Sequence, residues 1–311
     1  MGRYDIRDEI AHLDPETDYV RICTLLATRE FPWDITQALS FALFRTYAVP
    51  SIGRLLFETG EFTERTQKRY DDTVLVLDAV LEHGLASPEG RMAVRRMNQM
   101  HHVHGIPEDD LRYVLATFVV SPVRWVDAYG WRHYTAGERA ATTAYYRDLG
   151  RHMGITRLPP TYAGCEALME DYEREHFAFD EGARAVADAT LALLGTFAPN
   201  RWAPRVAVRQ LAFSLMDDHL LEAFHYPHPT RLVRAFCRSA LAIRGRLVRL
   251  LPPRTEPTFG RQSPTVRSYP DGYRVDDLGT FPGSADSRCP VPQWRREPSS
   301  GGTGSGGAGD W

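Results

Sequence analysis

The stretch RRMNQMHHVHGIPEDDLRYVL, residues 95–115, places three of the chain's eleven histidines, His101, His102 and His104, within four positions. Three chemistries suit that density: a metal site, one haem ligand with two bystanders, or polar residues finishing a helix. A His101/His104 pair at i,i+3 could chelate zinc, yet a metalloprotease helix needs the glutamate of HExxH, which this stretch does not supply. His102 and His104 fall at the expected end of a helix, where an imidazole can bond the last carbonyls. His101 differs because it continues the apolar stripe of Ala93, Val94, Met97 and Met100. A buried neutral imidazole needs a partner for each nitrogen, or a metal on one of them. Position alone leaves a satisfied core histidine and a ligand both open, the core histidine being the commoner outcome.

A second pattern precedes it. In TERTQKRYDDTVLVLDAVLEHG, Arg69, Thr73, Val76 and Val80 recur at i, i+4, i+7 and i+11, on one helix face. Arginine is rarely buried unpaired. A carboxylate or propionate would meet the guanidinium's need for bidentate partners, and so would a core Asp or Glu; snorkelling to the surface is the third option.

Helices must hold these residues, and the sequence supplies them. Ser87 is a good N-cap, Pro88 suits the first helical position and Glu89 the first turn, so a helix should run from there until Gly105 and Pro107 stop it. The acids of PEDD then open the next helix at the positive end of its dipole. Helical periodicity also covers roughly 36–48, 64–83, 108–120, 136–152, 163–175, 181–195, 204–223 and 229–250. Strand-like alternation is scarce, so the expected fold class is all-α, one large helical domain. The expected organisation is an N-terminal lead-in over 1–35, the helical domain over 36–252, a Pro/Gly-rich extended arm over 253–294 and a flexible tail over 295–311.

Composition narrows the function classes. A net charge of −3 gives no global basic field for nucleic acid. The four cysteines are scattered without a CxxC pair, which argues against a zinc ribbon or a disulfide framework and for reduced thiols. The charged N-terminus lacks the apolar core of a secretory signal, and no uninterrupted apolar run reaches transmembrane length. The expected location is cytoplasmic, with a peripheral membrane habit open.

The blocks LSFALFRTYAVPSIGRLLFETGEF, RYDDT, RRMNQMHHVHGIPEDDLRYVLATFVVSPVRWVDAYGWR and RDLGRHMGI, in this order and spacing, resemble the family that joins the MpaB oxygenase to the latex-clearing proteins, or rubber oxygenases. The resemblance covers about residues 36–228, and block 95–154 is its most specific part. It implies a globin-like helical core, a b-type haem, and dioxygen-dependent cleavage of a carbon–carbon double bond in a prenyl-type or other unsaturated lipid-like substrate. Carried over, the proximal haem-iron ligand falls on His101, the pocket arginine on Arg69 and the pocket threonine on Thr73. Met97, with Val94, would pack beneath the macrocycle. A single neutral imidazole leaves the opposite face of the iron open to dioxygen; Arg69 would hold a propionate or polarise dioxygen, and Thr73 would donate on that side. The sequence departs from the rubber oxygenases at Asp72, where their pocket lysine, able to cap the iron in a closed state, would stand. For the family's glutamate base, Glu58 is the nearest candidate. Two rivals keep the haem: a peroxidase-like enzyme, and a haem-binding or haem-sensing protein without oxygenase activity.

One segment lies outside this logic. Between Glu222 and Glu256 there is no acid, while Arg231, Arg234, Arg238, Arg244, Arg246, Arg249 and Arg254 interleave with Leu232, Phe236, Leu241, Ile243, Leu247, Leu250 and Leu251. Residues 229–251 read either as a last core helix, its arginines facing water or pairing with Asp217 and Asp218, or as a basic amphipathic helix lying in a bilayer interface. The oligomeric state is not legible.

Overall fold

The structure, a computed structural model, describes residues 2–279 of the 311. In chain order its α-helices are α1 Asp5–Ala11, α2 Tyr19–Leu25, α3 Pro32–Tyr47, α4 Pro50–Glu58, α5 Glu61–Glu64, α6 Thr66–His83, α7 Pro88–Val103, α8 Glu108–Tyr129, α9 Ala136–His152, α10 Tyr162–His176, α11 Glu181–Leu194, α12 Arg205–Leu215, α13 Asp218–Ala223 and α14 Arg231–Val248. Among the described residues there is no strand, so the chain is all-α.

Side-chain caps set many of the helix starts. Ser87 accepts from the Gly90 amide at 2.8 Å, and Thr135 and Glu138 form a reciprocal capping box at the head of α9. Thr161, Asp180, Asp217 and Thr230 cap α10, α11, α13 and α14 in the same way. Each such cap contributes about 1 kcal/mol. Beyond α7, Gly105 turns the chain at φ +59, a left-handed conformation that strains any residue with a Cβ.

The central element is α8, against which α3, α9, α10 and α14 pack. It runs well past the expected end at residue 120, straight through Pro122, because both sides of that stretch are buried: Val119, Val120, Val123 and Val126 are almost fully enclosed. Tertiary burial outweighs proline's preference here. The α6–α7 hairpin closes over Leu75, Val76, Val80, Ala93, Val94 and Met97. Two ion networks tie the body together inside. Arg45 on α3 bonds Glu173 on α10 and Asp217, with the Tyr113 hydroxyl donating to Glu173 at 3.1 Å. Arg132 bridges Glu30 and Glu138 at 2.7 and 2.6 Å.

Two expectations change, and a third is decided between its alternatives. The described part of the lead-in, residues 2–35, is part of the body: Ile6, Ile10, Ile22 and Phe31 lie buried in one cluster with Val123 and Trp131. The expected helix over 204–223 breaks after Leu215, where Asp217 caps the short α13. The extended arm, which could equally have lain over the body or hung loose, is laid over the body in its described part. Asp78 accepts from the Gly260 and Arg261 amides at 2.7 and 2.9 Å, and Arg96 donates to the Leu278 carbonyl at 2.5 Å. The arm thus straps α6 and α7. The remainder of the arm, and the tail over 295–311, lie outside the described residues.

Candidate functional site

The site forms where α3, α6 and α7 meet. His101 lies in the last turn of α7, on the face that buries Val94 and Met97. Other helix-end histidines show what an ordinary imidazole does there. Nδ1 of His12, His152 and His176 each bonds the carbonyl four residues back, at 2.6, 2.9 and 3.0 Å. His101 does not. Its side chain is half-buried, and its Nδ1 is shut off from solvent with no hydrogen-bond partner. Desolvation, with smaller contributions from the Arg69 cation and His104, pushes its pKa down to about 4. The imidazole is therefore neutral at physiological pH, the form that binds a metal.

Arg69 supplies the facing charge. Its guanidinium donates to the Thr73 hydroxyl and lies 5.0 Å from the centre of the Phe62 ring. Among the described residues no carboxylate pairs with it, which removes the core ion pair as its explanation. A half-buried guanidinium without an anion is an open site for one. Thr73 works chiefly as a holder: it accepts from Arg69 and donates back to the Arg69 carbonyl at 2.9 Å. The hydroxyl proton expected to face the pocket is committed to its own helix.

Tyr47, at the end of α3, is the residue that sequence reasoning missed. Its ring is buried against Phe44 and Phe62, and its hydroxyl has no hydrogen-bond partner; neighbouring Thr190 donates to the Val186 carbonyl at 2.9 Å. Burial raises the Tyr47 pKa, while the adjacent Thr190 hydroxyl and, less, the Arg69 cation pull it down. The Arg69 cation on α6 acts on both the His101 imidazole of α7 and the Tyr47 phenol of α3, so the three lie in one neighbourhood around the guanidinium. A tyrosine at apolar spacing gave no signal beyond core packing.

The other expected residues fall as follows. Met97 is buried among Leu75, Val80, Leu115 and Leu149, on the hairpin's core side. Asn98, three positions before His101, donates to the His152 carbonyl at 3.0 Å and so fixes α7 against the end of α9. His104 lines a half-open cavity of about 320 Å³ with Leu55, Leu56, Glu58 and Ile106. Glu58 is exposed. Neither His102 nor His104 bonds a terminal carbonyl through its side chain. Asp72 is 2 % exposed, and its carboxylate takes Lys68 at 2.8 Å together with the Tyr269 hydroxyl of the arm. Among the described residues no three His, Cys, Asp or Glu side chains gather as a metal cage. A lone imidazole beside an unpaired guanidinium fits a metal that brings its own macrocycle and carboxylates. The donors present therefore fit haem b: His101 would hold the iron and Arg69 a propionate.

Residues 35–245 match the family described as ER-bound oxygenase mpaB/B'/Rubber oxygenase, catalytic domain. The chain is 31% identical over 268 residues to the ER-bound oxygenase mpaB' of Penicillium brevicompactum, which covers 80% of this chain and 63% of that protein. It is 31% identical over 241 residues to the ER-bound oxygenase mpaB of Penicillium roqueforti, covering 72% and 80%. With the mpaB of Penicillium brevicompactum it shares 31% over 209 residues, covering 61% and 53%. The chain thus spans from about half to four-fifths of the length of these relatives.

Proposed function

The chain belongs to the mpaB/B'/rubber oxygenase catalytic-domain family, and from that premise we propose that it is a haem b-dependent oxygenase that cleaves a carbon–carbon double bond in a prenyl-type or other unsaturated lipid-like substrate. The observation that carries this reading is His101: a desolvated neutral imidazole with an unpartnered buried nitrogen, facing an arginine that no acid neutralises.

Haem b, when bound, supplies the dioxygen chemistry that no protein side chain provides. The chain's own residues prepare the place for it. His101 offers a neutral nitrogen, and desolvation keeps it unprotonated well below neutral pH. Arg69 offers two parallel N–H donors to a carboxylate, and Thr73 holds the guanidinium in one orientation. Tyr47 adds a phenol next to Thr190 at the edge of a buried cluster that includes Phe44, Phe62 and Leu191.

Peripheral attachment to a membrane belongs to the same reading. No helix among the described residues is long and apolar enough to cross a bilayer, while the relatives above are named ER-bound.

The test is dioxygen uptake by the reduced, haem-supplied protein when offered polyprenyl alkenes, with carbonyl products identified by mass spectrometry. Uptake matched by chain-cleaved aldehydes or ketones is the expected result. A haem spectrum without uptake would instead make this a haem-binding or haem-sensing protein, and hydrogen-peroxide-dependent turnover alone would make it peroxidase-like.

A further inference from the structure

α14 turns its apolar stripe away from the protein. Leu232, Phe236, Ile243 and Leu247 recur at i, i+4, i+11 and i+15, which at 100° per residue places them within about 60° of one another, and Leu250 follows in the turn just past the helix. They are 83%, 76%, 51%, 58% and 79% exposed, and Leu251 beside them is 58% exposed. Single exposed apolar residues are ordinary; a continuous stripe along one helix is not.

The opposite face shows that the helix is docked in this orientation. Leu241 and Val248 pack against the cluster of Val123, Trp125 and Val126. Gly245 lies against the end of α8 so closely that a Cβ there would stand 2.3 Å from the Tyr129 carbonyl oxygen. Arg234 reaches Asp218 at 2.6 Å, Arg238 the Ser214 carbonyl at 2.9 Å and Arg244 Asp34 at 2.7 Å. Arg244 also stacks 3.7 Å from the Trp33 ring centre. Three of the helix's arginines are therefore clamps to the body.

The rest face outward. Arg231, Arg246 and Arg249 are exposed, and none forms an ion pair among the described residues. Arg249 has only the Tyr4 ring at 5.9 Å. They flank the apolar stripe on one side, with no acid between Glu222 and Glu256 to offset them.

We propose that the outer face of α14 is a lipid-contacting surface that seats the protein on an anionic bilayer, with Leu232, Phe236, Ile243, Leu247 and Leu250 entering the acyl boundary and Arg231, Arg246 and Arg249 meeting headgroup phosphates. The occupant follows from charge complementarity. An interfacial helix needs a broad apolar stripe with cations beside it and no acids, which a second, identically basic face would not complement. This surface deepens the membrane-attachment part of the proposed function and rests on it.

The experiment is co-sedimentation of the full chain with phosphatidylcholine vesicles, with and without phosphatidylserine, across a salt series. The chain should sediment with phosphatidylserine vesicles, less with phosphatidylcholine alone, and less as salt rises. Replacing Arg231, Arg246 and Arg249 with Gln should lower partitioning about fivefold per arginine, the equivalent of about 1 kcal/mol each at an anionic leaflet. Leu232→Ser with Phe236→Ser and Leu247→Ser should abolish it; circular dichroism should stay unchanged, since these side chains touch water. Binding that survives both triple variants would overturn the α14 surface and leave membrane attachment standing elsewhere. Failure of the wild-type chain to bind any vesicle would overturn both. Loss of a stable dimer in the serine variant, without vesicle binding by the wild type, would mark the stripe as a self-association face and overturn the proposal. None of these readouts requires haem or turnover, so they are independent of the oxygenase reading.

Discussion

Tyr269 donates its hydroxyl to Asp72, and the same carboxylate takes Lys68, the chain's one lysine, at 2.8 Å. Asp72, where the resemblance would place the rubber oxygenases' iron-capping lysine, is here an anchor for the C-terminal arm. Asp71, its neighbour, accepts from the Arg267 and Ser268 amides at 3.0 and 2.8 Å. The arm therefore stabilises α6 next to Arg69 and Thr73.

Loosening that anchor should be visible without any substrate. Tyr269→Phe removes one bond to a buried carboxylate and should cost about 1–3 kcal/mol. Asp72→Lys should cost more, because it sets two cations together and strands the phenol. Thermal melting and limited proteolysis of the arm report this. Unchanged melting and unchanged protection of residues 258–279 in both variants would show that the arm carries no load.

Arg69→Ala should leave helicity intact and lower turnover about 10- to 100-fold, as loss of one preorganised charged donor does elsewhere. It should also raise the His101 pKa, since the guanidinium now holds it down. Thr73→Ala should have a smaller effect, and Thr73→Ser should restore it, because only the hydroxyl is needed to hold Arg69. Turnover and an NMR titration of His101 measure the two consequences. Wild-type values for both in Arg69→Ala would reduce the stripe to packing.

His101 also leaves a signature in the pH dependence of stability. Its folded pKa is about 4, against about 6.5 in an unfolded chain. Between those values the unfolded state binds the additional proton. The stability from burying a neutral imidazole is thus full above pH of about 6.5 and lost as pH falls to about 4. The difference amounts to about 3 kcal/mol. In protein prepared without haem, His101→Gln should flatten the denaturant-derived stability curve in that window relative to wild type. Parallel curves would contradict the desolvated environment.

The buried Arg45–Glu173 pair is structural, not part of the site. Its side chains are 17% and 5% exposed, and Asp217 and Tyr113 complete the network. Glu173→Gln should cost about 3–5 kcal/mol by leaving a charge underpaired. Urea unfolding measures it, and a loss below about 1 kcal/mol would show the network to be incidental.

The helices were legible where caps and apolar spacing agree, as at Ser87–Pro88 and at Thr135. They were not legible where tertiary burial decides: α8 continues through Pro122 because its surroundings are apolar, and α1 and α2 are short segments made stable by packing against Val123 and Trp131. In the site, the i, i+4 spacing of Arg69 and Thr73 and the stripe ending at His101 could be read directly. Tyr47 could not, since a tyrosine at apolar spacing reads as core packing and only the fold brings it within reach of the Arg69 charge. The role of Asp72 was hidden for the same reason: its partner Tyr269 lies 197 positions away. For α14, sequence offered both a core helix and an interfacial one. Each captures part of the arrangement: Arg234, Arg238 and Arg244 bind the body, while the apolar stripe faces out.

The central claim is that His101 holds a haem iron. It is tested most directly by the absorption spectrum and pyridine haemochrome content of protein expressed with haem supply, for wild type, His101→Ala, His102→Ala and His104→Ala side by side. Wild type should carry about one haem b per chain with a Soret band. His101→Ala should lose most of it or shift the band, and the other two should match wild type. A wild-type protein with no Soret band, or a His101→Ala protein with unchanged haem content and spectrum, would contradict the account.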